Sequence, residues 1–421
     1  MSLVLRNIRV VAPGNVLHGE TTDIYIRNGK IAGIGPTPPT GNYREYQYEG
    51  ACLSPGWLDI GVMSGDPGME HREDFHSLQQ AALAGGFTAI ALLPNTHPVV
   101  DSKSQVQYIK SKTAGSPVDF LPIGAATVDC AGKEMAEMID MQEAGVIAFS
   151  DGYHPIQHSG MMLRCLLYTQ GFGGLLLHFP FDKTLTVDGQ MHEGEVSTSL
   201  GLPGLPSLSE EVMVQRDIQL VAYTGARLHF SSISSAGSVN LIRKAKAKGL
   251  PVTCSVAAVN IALDDTHLMD FDTYYKVMPP LRSSKDITAL KKGLKDGTID
   301  FITSNHVPLD TEAKDLEFSY ADFGIIGLET AFAVANTALE NTLNTEQLIE
   351  KMAYNPRQLL QLPVPEIEVG ADANFTIFHP AEKWIFTKAH IFSKSKNTPF
   401  VGSSFKGRVL GVVKGDFSSL T

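Results

Sequence analysis

The chain has 421 residues, of which 43% are hydrophobic and 19% charged; that supports a large buried core and excludes general disorder. Its 34 Lys and Arg against 45 Asp and Glu give a net charge of −11, a poor electrostatic match for nucleic acid or an anionic membrane. Four cysteines without a CxxC pair argue against a disulfide framework and a thiolate zinc site. The N-terminal MSLVLRNIRVV carries charge inside its apolar stretch, unlike a signal peptide, and no run approaches ~18 apolar residues. A cytoplasmic protein without a membrane span is expected.

The first fifty residues read as β structure. Val4 to Val11 forms one strand, and Asp23–Ile26 and Lys30–Ile34 flank Asn28-Gly29, a pair suited to a type I′ hairpin turn. Eight short apolar runs follow: 53–62, 87–95, 118–126, 146–151, 175–180, 227–233, 251–257 and 300–305. Most are apolar throughout, as parallel strands covered on both faces should be. Between them Ser77–Ala84, Lys133–Glu143, Ser238–Lys248 and Asp286–Lys295 have helical composition. Eight such alternations predict an α/β protein, a (β/α)8 TIM barrel. A doubly wound sheet is the competitor, but no GxGxxG opens a helix after any of these strands. The last fifty residues return to β character at Ala373–Phe378 and Gly407–Lys414. The expected division is residues 53–364 as the barrel and residues 1–52 plus 365–421 as a small discontinuous β-sandwich domain made by both chain ends.

Barrel chemistry sits at the C-terminal ends of the strands. There the sequence places Asp59 to Gly68, Asn95-Thr96-His97, Ser150-Asp151-Gly152, His178, His229 to Ser232, and Ser304-Asn305-His306. Each has a plain structural reading. Asp151 suits a turn cap before Gly152. His178 suits a hydrogen-bonded interior histidine, and His306 a packing role. Asn95 suits loop ordering, and Glu193 and Glu195 suit a helix start. His71, His76, His154 and His158 lie in loops where histidines are commonly solvated. Gly85-Gly86 reads as a tight helix-to-strand turn rather than a phosphate loop.

At these strand ends the chain resembles the dihydroorotases of the amidohydrolase superfamily. PGWLDIGVMSGDPGMEHREDF is similar to the family's PGxxDxHxHxRDPG, and AGGFTAIALLPNTHPVVD, HEGEVSTSLGLPGLP, MPPLRSSKD, FGIIGLET and SKSKNTPFVG follow in the family's order. The resemblance is closest to the class whose fourth-strand metal bridge is an Asp; hydantoinases place a carboxylated Lys there. It implies a split terminal β domain and, in active relatives, two zinc ions at the barrel mouth. An HxH pair, one His from each of two later strands and an eighth-strand Asp that is also the base would serve them. Asp151 and His178 stand at retained ligand positions.

The other positions depart from that pattern. The HxH pair is Gly61 and Met63, the sixth-strand His is Ser232, and the eighth-strand Asp is Asn305. His229 falls three residues early and by alternation is expected to face away. The arginine expected to grip the substrate carboxylate is Gly65, the His closing the eighth-strand motif is Leu309, and the Asn before PPLR is Met278; Asn95 is retained. Met63, Met278 and Leu309 are expected to converge on a more apolar mouth. The expectation is a catalytically inactive dihydroorotase homologue of pyrimidine biosynthesis without a cofactor, structural or regulatory, with aspartate transcarbamoylase as partner and a homodimeric state. The alternatives are an active dihydroorotase or other cyclic-amide hydrolase with an altered metal site, and a small-metabolite binding protein.

Overall fold

The computed structural model describes residues 1–186 and 188–420. The barrel strands run Trp57–Val62, Phe87–Leu92, Asp119–Pro122, a fourth reduced to bridges at Phe149, then Leu176–His178, Leu228–Phe230, Val252–Ala257 and Phe301–Thr303. Each neighbouring pair along this order is parallel. The ring closes where Met63 N–H donates to His306 O (3.0 Å) and Ser304 N–H to Asp59 Oδ1 (3.1 Å). Helices such as Phe75–Ala84, Ser159–Gly171, Leu208–Thr224, Ala236–Ala247 and Ser284–Lys295 lie in the crossovers and bury an apolar face. This is the barrel that the eight apolar runs predict.

Both chain ends enter one eight-stranded sheet. Ser2–Val10 and Cys52–Pro55 pair in it with Asn374–Ile385 and Ser404–Lys414, which come from the far end of the chain. The Asn28-Gly29 hairpin forms as expected, with φ of 50° and 74° at the two turn residues. The run 53–62 is not one strand. Pro55-Gly56 breaks it, so Cys52–Pro55 belongs to the end sheet and Trp57–Val62 to the barrel. Lys133–Glu143 is only half helical: the helix is Met138–Ala144, because Met135 bridges Thr127 and holds the earlier residues in the loop.

Trp57 joins the two parts. It is fully buried against Phe87, Phe332 and Phe378, and its indole N–H donates to Ser54 Oγ (2.9 Å). Gly86, at φ +85°, follows the helix Phe75–Ala84; a Cβ there would lie 2.9 Å from the Trp57 ring and 2.7 Å from Thr376, so this turn needs glycine. Among the described residues no helix is long and apolar enough to cross a membrane.

Candidate active site at the barrel mouth

The first strand delivers Asp59 into the barrel. Its carboxylate accepts from Ser304 N–H and Ser304 Oγ–H, and burial pushes its pKa up to about 6. The strand bulges at Gly61, whose φ of +96° disfavours any side chain, although a Cβ there would meet nothing within 4 Å. Met63 packs against the cluster of Leu58, Ile60 and Leu93. At Gly65 a Cβ would lie 2.2 Å from Glu73 O and 2.3 Å from Met69 O, so the loop as folded admits no side chain at the position of the expected arginine.

Asp151 is buried and spent on the backbone. Oδ1 accepts from Ala126 N–H (3.0 Å) and Thr127 N–H (2.9 Å), and Oδ2 from Thr127 Oγ–H (2.5 Å). Burial raises its pKa despite these bonds. His178 is likewise committed. Its Nδ1 lies 2.6 Å from Asp217 Oδ2, while Nε2 accepts from Ile156 N–H (3.0 Å), which makes Nδ1 the protonated nitrogen. Asn95 donates to Asp151 O (3.0 Å) and orders this loop.

The sixth strand corrects one expectation. His229 does not face away; it points into the barrel, stacks on Phe301 at 4.8 Å and lies within reach of Thr253 Oγ1 (2.8 Å) and Ser255 Oγ (3.1 Å). Burial pushes its pKa down to about 3, so it is neutral. Strand alternation fails as a guide because Ser232 turns to φ +52°, and His229, Ser231 and Ser232 border the same cavity. Asn305 also adopts a left-handed φ, +56°. Its Oδ1 accepts from the Tyr153 hydroxyl (2.6 Å) and its Nδ2 donates to Met278 O (3.2 Å). Two non-glycine residues in this region at strand ends of a barrel mark a site where backbone strain is retained.

The apolar residues do not converge as expected. Met278 packs with Phe179, Phe181, Leu205 and Phe323, and Met63 with a different cluster; Tyr153 touches both. Leu309 packs beside Gly324, outside both clusters. His306 points away from the cavity: Nδ1 accepts from Gly327 N–H (3.2 Å), and Nε2 lies 3.5 Å from buried Glu73. His71, His76, His154 and His158 are exposed; His71 pairs with Asp310, and His158 caps the helix Ser159–Gly171. Glu193 is exposed, and Glu195 opens a short helix.

These side chains do not fit a binuclear zinc centre. The oxygens of Asp151 and the ring nitrogens of His178 are already bonded, and among the described residues no group of three or more His, Cys, Asp or Glu is gathered to hold a metal. The cavity is lined instead by Ser150, Ser231, Ser232, Ser255 and His229 together with apolar Ile60, Leu93 and Phe179 and by Tyr153. Sequence reasoning missed Tyr153 and Phe179. The one signal for them was an aromatic directly after a strand-end residue in each case, Gly152-Tyr153 and His178-Phe179.

A dihydro-orotase-like family model matches residues 50–238, and an amidohydrolase family model matches residues 183–416. The chain is 43% identical over 411 residues to a dihydroorotase of Pelotomaculum thermopropionicum, covering 97% of this chain and 96% of that protein. It is 40% identical to a dihydroorotase of Syntrophus aciditrophicus, covering 97% of each. In three dimensions it is similar to the L-hydantoinase (dihydropyrimidinase) of Arthrobacter aurescens, with TM-score 0.86, 22% identity and coverage of 99% and 96%. A D-hydantoinase superposes with TM-score 0.83 at 20% identity, covering 100% and 95%. The relatives overturn the expectation of a catalytically inactive protein, since chains this similar over nearly their whole length are named dihydroorotases. Gly61, Met63, Ser232 and Asn305, expected as lost ligand positions, do not show that the chemistry is absent.

Proposed function

Because the chain belongs to the dihydroorotase family, we propose that it is an active cyclic-amide hydrolase, opening or closing the ring of a dihydroorotate-like substrate at the barrel mouth with a rearranged site. The observation that carries this reading is its full-length similarity, about 40% identical, to curated dihydroorotases. The geometry supports the location. Strained, non-glycine strand ends at Ser232 and Asn305 border or flank a cavity at the C-terminal face of the barrel, where barrel enzymes work.

The chain's own residues supply binding and orientation. Ser231 and Ser232 line the cavity and offer hydroxyl donors and acceptors to a ring amide. Dihydroorotases of this superfamily are typically metal-dependent, which speaks against the expectation of no cofactor.

The test is a direct assay in both directions, ring opening of dihydroorotate and ring closure of carbamoyl aspartate. It is run on the protein as isolated, after chelation and with zinc added, which separates a metal-dependent route from one carried by side chains alone. Turnover above a no-protein control is expected; none in any arm overturns the reading and leaves a binding protein. The homodimer and the aspartate transcarbamoylase-type partner belong to the same reading through the family resemblance. Light scattering and co-purification from native lysate check them.

A further inference from the structure

The cavity at the mouth has room for about 20 Å³ of solvent. That holds about one water molecule, whereas pockets for small ligands run to roughly 300 Å³ and more. A six-membered ring therefore cannot enter the mouth as folded, and something must move.

Part of the lining is fixed. Ile60, Gly61, His229 and Ser255 lie on barrel strands. Tyr153 and Phe179 are different: each projects from the loop just past a strand end, and their rings meet edge to face at 5.3 Å. Phe179 is backed by Phe181 at 6.1 Å. The turn that carries Tyr153 is anchored on both sides, by Gly152 N–H to Ser150 Oγ (2.9 Å) and by Asn95 Nδ2 to Asp151 O (3.0 Å). Gly152 also leaves no slack, since a Cβ there would lie 1.6 Å from Asn95 Oδ1. The Tyr153 side chain itself is held at its tip by one hydrogen bond, to Asn305 Oδ1 (2.6 Å).

We propose that Tyr153 is the gate of the barrel mouth, latched shut by its hydrogen bond to Asn305 and braced by Phe179, and that substrate enters when this latch opens. The inference rests on the mouth being where the cyclic amide binds. It assigns Tyr153 a role in access rather than in bond breaking. If the competent state is populated a fraction f of the time, the apparent dissociation constant is raised by 1/f. Loosening the latch then lowers KM for dihydroorotate and leaves kcat less changed.

A thiol placed behind the gate reads its opening without any need for turnover. Ser232 borders the cavity, and the four native cysteines are 0–3% exposed, so Ser232→Cys supplies the reactive thiol. Ser199→Cys, at an exposed helix position, is the open control. We expect a small maleimide to modify position 232 far more slowly than position 199. Added Tyr153→Phe, which keeps the ring and deletes the latch, should speed modification about three- to tenfold. Tyr153→Ala should speed it about thirtyfold or more, since ring contact is lost as well. The conservative Phe variant keeps the test valid if the Ala variant folds poorly. Position 232 labelling as fast as position 199 in the parent, or a rate unmoved by Tyr153→Phe, overturns the gate. Faster labelling together with no turnover by the unsubstituted protein keeps the gate and sinks the hydrolase reading instead.

Discussion

Asp151 offers a sharp separation between a scaffold carboxylate and a metal ligand. In Asp151→Ala, Ala126 N–H and Thr127 N–H lose their acceptor inside the barrel, while Thr127 Oγ keeps Gly132 N–H as a partner. Each buried unsatisfied N–H costs about 1–3 kcal/mol. Removing a carboxylate whose pKa burial already raises offsets part of that. A net loss of about 2–4 kcal/mol is expected from these two effects. Unfolding entropy of about 2.1 cal/mol/K per residue gives roughly 0.9 kcal/mol/K for a chain of this length, so Tm should fall by about 2–5 °C. Asp151→Asn behaves differently. Both backbone bonds go to Oδ1, which Asn retains, and its Nδ2 can donate to Thr127 Oγ1. Its cost should stay within about 1 kcal/mol. The sign of the pH effect follows from the raised folded pKa: relative to Asn, the parent does best in acid and loses ground as pH rises through that pKa. Thermal and denaturant melts, with and without chelator, measure all of this. If Asn costs as much as Ala, or if chelator lowers the parent's Tm by as much as the Ala substitution does, Asp151 is holding a metal and the hydrogen-bond account is wrong.

Three further substitutions probe the surroundings. His178→Ala strands Ile156 N–H and removes one of two partners of fully buried Asp217, so a loss of about 3–4 kcal/mol is expected in urea melts; a loss below about 1 kcal/mol would mean that the pair is not structural. Asn305→Asp takes the donor from Met278 O and faces a carboxylate to that carbonyl, which should cost about 1–3 kcal/mol at neutral pH; a higher Tm would refute this. Lys314 is buried with its ammonium bonded to Lys276 O (3.0 Å) and Asp322 O (2.9 Å), and burial pushes its pKa down to about 7. A depressed folded pKa means that the parent gains stability as pH rises from about 7 toward the unfolded value, so the gap to Lys314→Met should widen in the parent's favour between pH 7 and 9.5; a gap independent of pH removes the shift.

The fold was legible because its signals are periodic and redundant. Eight buried parallel strands each need an apolar run, and one missing run would not have hidden the barrel. The fourth strand shows the limit: it survives as bridges at Phe149, held between Gly124 and Leu176, yet its run reads like any other. Breaks were less visible than runs. Pro55-Gly56 divides an apolar stretch between two sheets, and that division depends on Asn374–Ile385 arriving from more than three hundred residues away.

The site was legible only as positions. Residue types at 61, 63, 232 and 305 could be read, but what those positions do now is set by backbone angles and partners that no spacing rule reports. Ser232 and Asn305 are left-handed, so alternation misplaced His229; Tyr153 reaches Asn305 across 152 residues of sequence. The inference from missing ligands to missing activity failed at the same step. A ligand pattern describes one way of activating a substrate, and its loss leaves the pocket's hydroxyls, its strained strand ends and its closed mouth unaccounted for. Strained non-glycine backbone persists only where surrounding structure holds it. Here it borders the one part of the barrel that a cyclic amide would have to enter, behind a single tyrosine latch.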